Sequence, residues 1–432
     1  MNQDTGKENI KIYKGHIVYT ESPEKFNVQE NGYIVVENNK VTLANSSIPE
    51  KYSHISVIDF GDKLIIPGFV DLHLHAPQFP NRGLGLDKEL LPWLEEYTFP
   101  EEAKYSDMDY AKKVYSRVVE DLWRNGTTRS VVFASIHKES TSLLFDLFVE
   151  SGLGAYVGKV NMDRNCPDIL IEDTQQSIKD TREYIENHIG KSEIVKPIIT
   201  PRFVPTCTVE LMKELGKMAK EFNVPIQSHL SENTNEIKWV KELHPEHQDY
   251  ASVYDCYGLF GQNPTIMAHC IHNTEEEVAL MKDNEVFVAH CPYSNLNLSS
   301  GIMPVRYFLD KGINVGLGSD VSGGNKIAIF DVMAISAQIS KIKWLETNKE
   351  LAPLTTSEVF YLGTKGGGKF FGKVGSFEEG YEFDALVIDD SNLFGDGLTI
   401  EERIQRFIYT GDDRNIVERY VAGNKIEKPS FK

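Results

Sequence analysis

The sequence lacks any apolar run approaching the roughly 18 residues that a membrane-crossing helix needs. Met1 to Lys14 is polar, without the apolar stretch of a secretion signal, so a cytoplasmic protein with no membrane partner is expected. Cysteine is scarce. Cys166, Cys207, Cys256, Cys270 and Cys291 are odd in number and include no Cys-x-x-Cys pair. This argues against a disulfide framework and against a thiolate zinc site, and leaves reduced thiols. Positive charge is in deficit, with 45 Lys plus Arg against 64 Asp plus Glu and a formal net charge of -19. Such a surface repels phosphate backbones and anionic membranes, which sets nucleic acid aside as a partner. Low complexity is confined to Lys365-Gly366-Gly367-Gly368-Lys369. Gly363 to Lys369 has the glycine and lysine spacing of a phosphate loop, but Phe370 stands where a Mg²⁺-binding Ser or Thr is required. No clear apolar strand runs into it, so a glycine-rich helix start or end is expected.

What is present fits a soluble globular chain: 41% hydrophobic and 25% charged residues over 432 positions, enough for one large domain with something smaller attached. Short strand-like pieces occupy Ile10 to Tyr19, Gly32 to Val36, Lys40 to Ala44 and Ile55 to Phe60, and read as a small antiparallel β-module. After Pro67-Gly68 the rhythm changes to short apolar runs alternating with amphipathic segments. Eight strands are expected: Phe69 to His75, Thr128 to Ser135, Ala155 to Asp163, Val195 to Arg202, Pro225 to Leu230, Thr265 to His272, Val286 to His290 and Asn314 to Ser319. Helical stretches such as Tyr110 to Arg124 and Val209 to Phe222 lie between them. Eight β/α repeats over such a length imply an α/β fold of the TIM-type (β/α)8 barrel class, with active sites at the C-terminal strand ends. Helices are expected around Ile327 to Lys343 and Ser357 to Leu362, then strand-like Ala385 to Ile388, Ile404 to Tyr409 and Val417 to Val421. The expected division is 1–66 and 375–432 as two parts of one small β-sandwich module, with the barrel at 67–374.

The chemistry centres on Ile65 to His75. In a strand, side chains alternate between faces, so His73 and His75 share one side, and paired neutral imidazoles are suited to zinc. Ordinary core or hydrogen-bonded histidines are the competing reading. His229, His269 and Asp320 fall at the ends of the fifth, sixth and eighth expected strands, and Glu232 follows just beyond the fifth. Singly each is a weak signal; five at matching strand ends suggest one pocket.

At these motifs the chain resembles the amidohydrolase superfamily. The resemblance runs from Pro67 to His75 through Ser228-His229-Leu230-Ser231-Glu232, His290-Cys291-Pro292-Tyr293-Ser294-Asn295 and Gly318-Ser319-Asp320 to Gly375-Ser376-Phe377-Glu378-Glu379-Gly380. Ala76-Pro77-Gln78, Trp93 to Glu101 and Thr200-Pro201-Arg202-Phe203 resemble its guanine-deaminating members. The resemblance implies zinc-dependent hydrolytic deamination of guanine to xanthine and ammonia, in purine catabolism. It implies one zinc per subunit on His73, His75, His229 and Asp320, with His269 orienting a water. Asp320 would also accept a proton, and Glu232 would act as general acid and base. Gln78, Arg202 and Phe203, with His229 and Glu232, would contact the base. The resemblance also implies a homodimer. A zinc hydrolase of another amino- or chloro-substituted heterocycle (pterin, cytosine, triazine) fits the superfamily motifs equally. A noncatalytic scaffold fits them less well, because it has no physical need for so many ionisable groups in one place. The long segment Pro77 to Pro100 would be a lid or a subunit contact. His137, His188, His244, His247 and His272 read as structural or surface residues.

Overall fold

The computed structural model describes residues 10–431; of the polar leader, residues 1–9 lie outside the described residues. Four strands come first: β1 (Ile10–Ser22), β2 (Lys25–Glu37), β3 (Lys40–Asn45) and β4 (Val57–Pro67). Asn38 and Asn39, both at positive φ (50° and 69°), make the two-residue turn between β2 and β3. Asparagine tolerates that conformation, and such a turn matches the twist of a hairpin. β1–β2 and β2–β3 are antiparallel, but β1 pairs with β4 in parallel, so the module is mixed and not purely antiparallel.

β4 continues through Pro67-Gly68 into β5 (Phe69–His75), the first stave of the barrel. A Cβ on Gly68 would lie 2.3 Å from the Thr128 side chain, so the junction requires glycine. The barrel continues with β6 (Thr127–Phe133), β7 (Gly154–Gly158), β8 (Val160–Asn161), β9 (Val195–Pro197), β10 (Thr200–Pro201), β11 (Ile226–Leu230), β12 (Thr265–His269), β13 (Phe287–His290) and β14 (Asn314–Leu317). Neighbouring staves pair in parallel. An Ile199–Ile226 bridge joins the fourth stave to the fifth. The ring closes where the Asp320 N–H donates to the His73 carbonyl (2.8 Å) and the His75 N–H to that of Val321 (2.9 Å).

The third and fourth expected strands are each broken in two. Pro197 and Pro201 explain the fourth, because proline has no N–H to continue a ladder. The sixth stops at His269 instead of His272, because His269 and Cys270 turn to φ 73° and 49°.

The C-terminal strands β15 (Ala385–Ile388), β16 (Ile416–Val421) and β17 (Asn424–Lys425) add to β4, giving the order β17-β16-β15-β4-β1-β2-β3. This sheet curls until Val41 meets the far segment: its N–H donates to the Tyr381 carbonyl and its carbonyl accepts from Gly380, both at 2.8 Å. Enclosed are Tyr13, Ile34, Phe377, Phe383 and Tyr420, with Tyr13 and Phe383 stacked at 4.7 Å. The expectation of a strand over Ile404 to Tyr409 is corrected: it lies in the helix Ile400–Thr410. Ile400, Ile404, Phe407 and Ile408 recur at helical spacing and are buried, and Thr399 with Glu402 forms a capping box ahead of them. Leu362–Gly366, the start of the glycine-rich stretch, is a wide helical turn ending the helix Thr356–Tyr361, as the missing hydroxyl implied.

Candidate active site

The pocket opens at the C-terminal ends of the barrel strands. In β5, Leu72 and His73 together oppose Val131 alone, a bulge in the β5–β6 ladder. Leu72 can therefore join Val131 and Ile266 in the apolar cluster inside the barrel while His73 still sits with His75, ring centroids 4.9 Å apart. Asp71 fixes this corner. One of its oxygens accepts the N–H groups of His73 (3.1 Å) and Ser319 (3.0 Å), and the other accepts the Ser319 hydroxyl (2.5 Å). Ser231, His269, Cys270 and Asp320 all hold positive φ, between 45° and 73°, without being glycine. Backbone strain of this kind concentrates at sites the surrounding fold over-determines.

The expected polar groups converge. His75 Nε2 lies 3.1 Å from His229 Nε2, and Asp320 Oδ1 lies 3.2 Å from His73 Nε2 and 3.6 Å from His75 Nε2. His269 Nε2 is 3.7 Å from Asp320 Oδ2 and 3.4 Å from Glu232 Oε2. All six are at most lightly exposed. The Arg202 carbonyl, 2.6 Å away, can only accept, so His229 Nδ1 carries the proton and Nε2 presents its lone pair. Asn295 Oδ1 does the same for His269 Nδ1 at 2.9 Å. Burial and the neighbouring imidazoles push His75 and His229 well below the usual histidine range, keeping them neutral. Burial alone would raise the Asp320 carboxyl, but His73 and His269 hold it well below the carboxylate range. Burial pushes Glu232 up to about 7.

This donor set fits a metal ion. His73 Nε2 and His75 Nδ1 are buried with no hydrogen-bond partner among the described residues. His229 Nε2 aims its lone pair at the spot that His75 Nε2 also reaches, 3.1 Å away, so the two imidazoles converge on one point as ligands of a single cation do. Ligand atoms of His73, His75 and Asp320, and of His73, His229 and His269, cluster within 4.8 Å of one another. Cys291 joins a third such group, with His269 and Asp320, but burial raises its thiol well above its usual range and keeps it protonated. His244, Glu246 and His247 form a partly exposed group elsewhere. His244 Nε2 there faces the Arg164 guanidinium at 3.0 Å, so its proton sits on Nδ1, 3.7 Å from Glu246.

The pocket holds about 440 Å³ of empty space and is lined by His75, Gln78, Arg202, Phe203, His229, Glu232, His269 and Asp320, while His73 lies deeper. Gln78 and Arg202 are buried there and not the loop residues of a solvated surface. Leu90, Trp93 and Leu94 complete the wall, so the 77–100 segment roofs the pocket. Sequence reasoning missed Leu90, Glu236, Ser294, Leu298 and Gly323 as lining residues, and Glu102 behind them. Glu236 carried a local signal, one helical turn after Glu232; its carboxylate accepts the N–H groups of Glu232 and Asn233.

The amidohydrolase family model matches residues 64–426. A guanine deaminase of Dictyostelium discoideum is 41% identical, over 97% of this chain and 98% of its own length. The human guanine deaminase is 42% identical over 84% of this chain and 83% of its own. Among solved structures, guanine deaminase from C. acetobutylicum with guanine bound in its active site is 56% identical, with a TM-score of 0.96 over 97% of this chain and all of that one. With a family match over most of the chain and such identity over nearly its whole length, the chain belongs to the amidohydrolase family and, within it, to the guanine deaminases.

Proposed function

We propose that this chain hydrolyses guanine to xanthine and ammonia, with one zinc ion per subunit held by His73, His75, His229 and Asp320. The observation that carries this reading is one shared pocket. Gln78, Arg202 and Phe203, suited to a flat base with donor and acceptor edges, line the same wall as Glu232, His269 and Asp320. The guanine-bound relative at 56% identity supports the choice of base. The chemistry a bound zinc ion supplies is a nucleophilic hydroxide at neutral pH, since it lowers the pKa of water from 15.7 to about 7.

The chain's own residues divide the remaining work. Phe203 stacks on the base, and Gln78 and Arg202 hydrogen-bond its edge, so that C2 faces the histidine cluster. Asp320 accepts a proton from the attacking water and His269 orients that water. Glu232 is fixed at Oε1 by the Ser300 hydroxyl (3.0 Å), which leaves Oε2 for proton transfer. Held near pH 7, its carboxyl gives a proton to the ring nitrogen beside C2 and later passes one to the departing amine. The C–N bond breaks as ammonia leaves, and the oxygen of water remains as the new carbonyl. Leu90, Trp93 and Leu94 exclude bulk water. The same reading makes the enzyme a cytoplasmic homodimer of purine catabolism, and light scattering at monomer mass would remove the dimer.

The test is ammonia release by the zinc-loaded protein from guanine, adenine, cytosine, a pterin and an amino-triazine. Guanine should react far better than the others, because buried groups built to bond one edge reject analogues lacking it by about 10⁴-fold. Preference for another heterocycle would keep the barrel and discard Gln78, Arg202 and Phe203 as guanine contacts. No ammonia from any of them would overturn the deaminase reading.

A further inference from the structure

We propose that Glu102, buried behind the pocket wall, is a positioning residue that locks the amide of Gln78 and cancels the charge of Arg202, so that the site prefers a neutral base to an anionic one. The inference rests on the reading of Gln78 and Arg202 as contacts to guanine. Glu102 ends the short helix Phe99–Glu102, is 3% exposed, and does not line the pocket. Its two oxygens are divided between the two base contacts. Oε1 accepts from Gln78 Nε2 at 2.9 Å and Oε2 from Arg202 NH1 at 2.6 Å.

An ionised carboxylate only accepts, so Gln78 must turn its nitrogen toward Glu102. From the other side the Ser322 N–H, which only donates, meets Gln78 Oε1 at 3.3 Å. The two constraints agree, and a flipped amide would set donor against donor and acceptor against acceptor. Gln78 is left with one N–H and one lone pair for a ligand, in a fixed sense.

The charge argument is separate. Arg202 is always cationic and only 3% exposed; alone, it would attract any anion entering the pocket. Paired with Glu102 at 2.6 Å it presents directed N–H groups but no net charge. That matters for the product. Exchanging the amine on C2 for a carbonyl leaves a ring N–H between two carbonyls, an imide more acidic than anything in guanine. Xanthine is thus the more easily ionised partner, and an uncompensated Arg202 would retain it. Glu102 accordingly favours binding of substrate and release of product.

The other ionisable groups around Arg202 are His73, His75 and His229 on the strands, Glu232 and Glu236 beyond β11, His269 and Asp320 on the same pocket wall, and Cys166. They are common to wild type and variant, so a comparison at each pH isolates Glu102. The experiment measures guanine kcat and KM, and xanthine inhibition at about pH 6 and about pH 8.5, for zinc-loaded wild type and Glu102→Gln. In the variant, guanine KM should rise about tenfold and inhibition by neutral xanthine at the lower pH should weaken alike, while at the higher pH the uncompensated Arg202 should offset that loss, so that the ratio of variant to wild-type inhibition shifts about tenfold between the two pH values. An inhibition ratio equal at both pH values would overturn the proposal. Glu102→Asp, which keeps the charge and shortens the reach, should raise KM while retaining wild-type pH dependence of inhibition; a loss of that dependence would count against it too. If wild type releases no ammonia from guanine, the functional reading falls, and calorimetric binding of xanthine to the same proteins at both pH values still decides the role of Glu102.

Discussion

Glu232 is the side chain on which the proton transfers turn. It is buried, it takes the Ser300 hydroxyl at one oxygen, and its other oxygen faces His269. Glu232→Gln keeps that volume and can still accept from Ser300, but it cannot carry a proton between ring nitrogen and amine. Zinc content by mass spectrometry should match wild type, while guanine turnover falls by about 10²-fold to 10⁴-fold. Wild-type turnover in this variant would remove Glu232 from the chemistry. Residues at strand ends, such as His229, His269 and Asp320, were legible in the sequence because each stands at the end of an expected strand. Ser300, Asn295 and Glu102 were not. Each meets its partner only after distant segments fold together, as Ser300 meets Glu232 and Glu102 meets Arg202, and nothing in the local pattern announces it.

At the scale of elements, the roof of the pocket is the part whose role sequence alone left divided. Trp93 is 2% exposed, lines the pocket, and donates its indole N–H to the Leu84 carbonyl at 3.1 Å, pinning the segment to itself. Trp93→Ala should raise guanine KM about tenfold, with kcat changed less, and should cost about 3 kcal/mol of stability through the cavity it leaves. An unchanged KM with lowered thermal stability would make the roof a packing element only. The bulge in β5 illustrates why element-level reading succeeds in part. Strict alternation correctly puts His73 beside His75, but it puts Leu72 on the opposite face, whereas the extra residue brings Leu72 inside as well. The helix Ile400–Thr410 reads as a strand when the short apolar run Phe407-Ile408-Tyr409 is weighed alone, and as a helix once Ile400 and Ile404 are set beside Phe407 and Ile408 at spacings of three and four.

At the scale of the whole molecule, buried cations tie the barrel to the curled sheet, Arg129 among them. Arg129, at the start of β6 and away from the pocket, gives Nε to Asp384 at 2.6 Å and one terminal nitrogen to Glu382 at 2.6 Å. Asp384 also accepts the Ala422 N–H at 2.8 Å, so β6, the approach to β15 and the end of β16 meet at this point. Arg129→Met should destabilise the protein by about 3–5 kcal/mol, because it strands a buried carboxylate. Zinc content and guanine turnover at low temperature should persist, and differential scanning calorimetry against turnover separates the two effects. A variant as stable as wild type would show that Asp384 is satisfied without the guanidinium.

The order of strands in that sheet has a consequence for how the chain is made. β4 is flanked by β1, synthesised before it with β2 and β3 between, and by β15, whose residues 385–388 follow the entire barrel. During synthesis β4 waits with one edge bare until nearly the whole chain has been made, and β5 with its two histidines grows directly from that unfinished strand. The nascent chain therefore carries an open β edge for most of translation, the kind of surface that chaperones cover and neighbouring chains pair with.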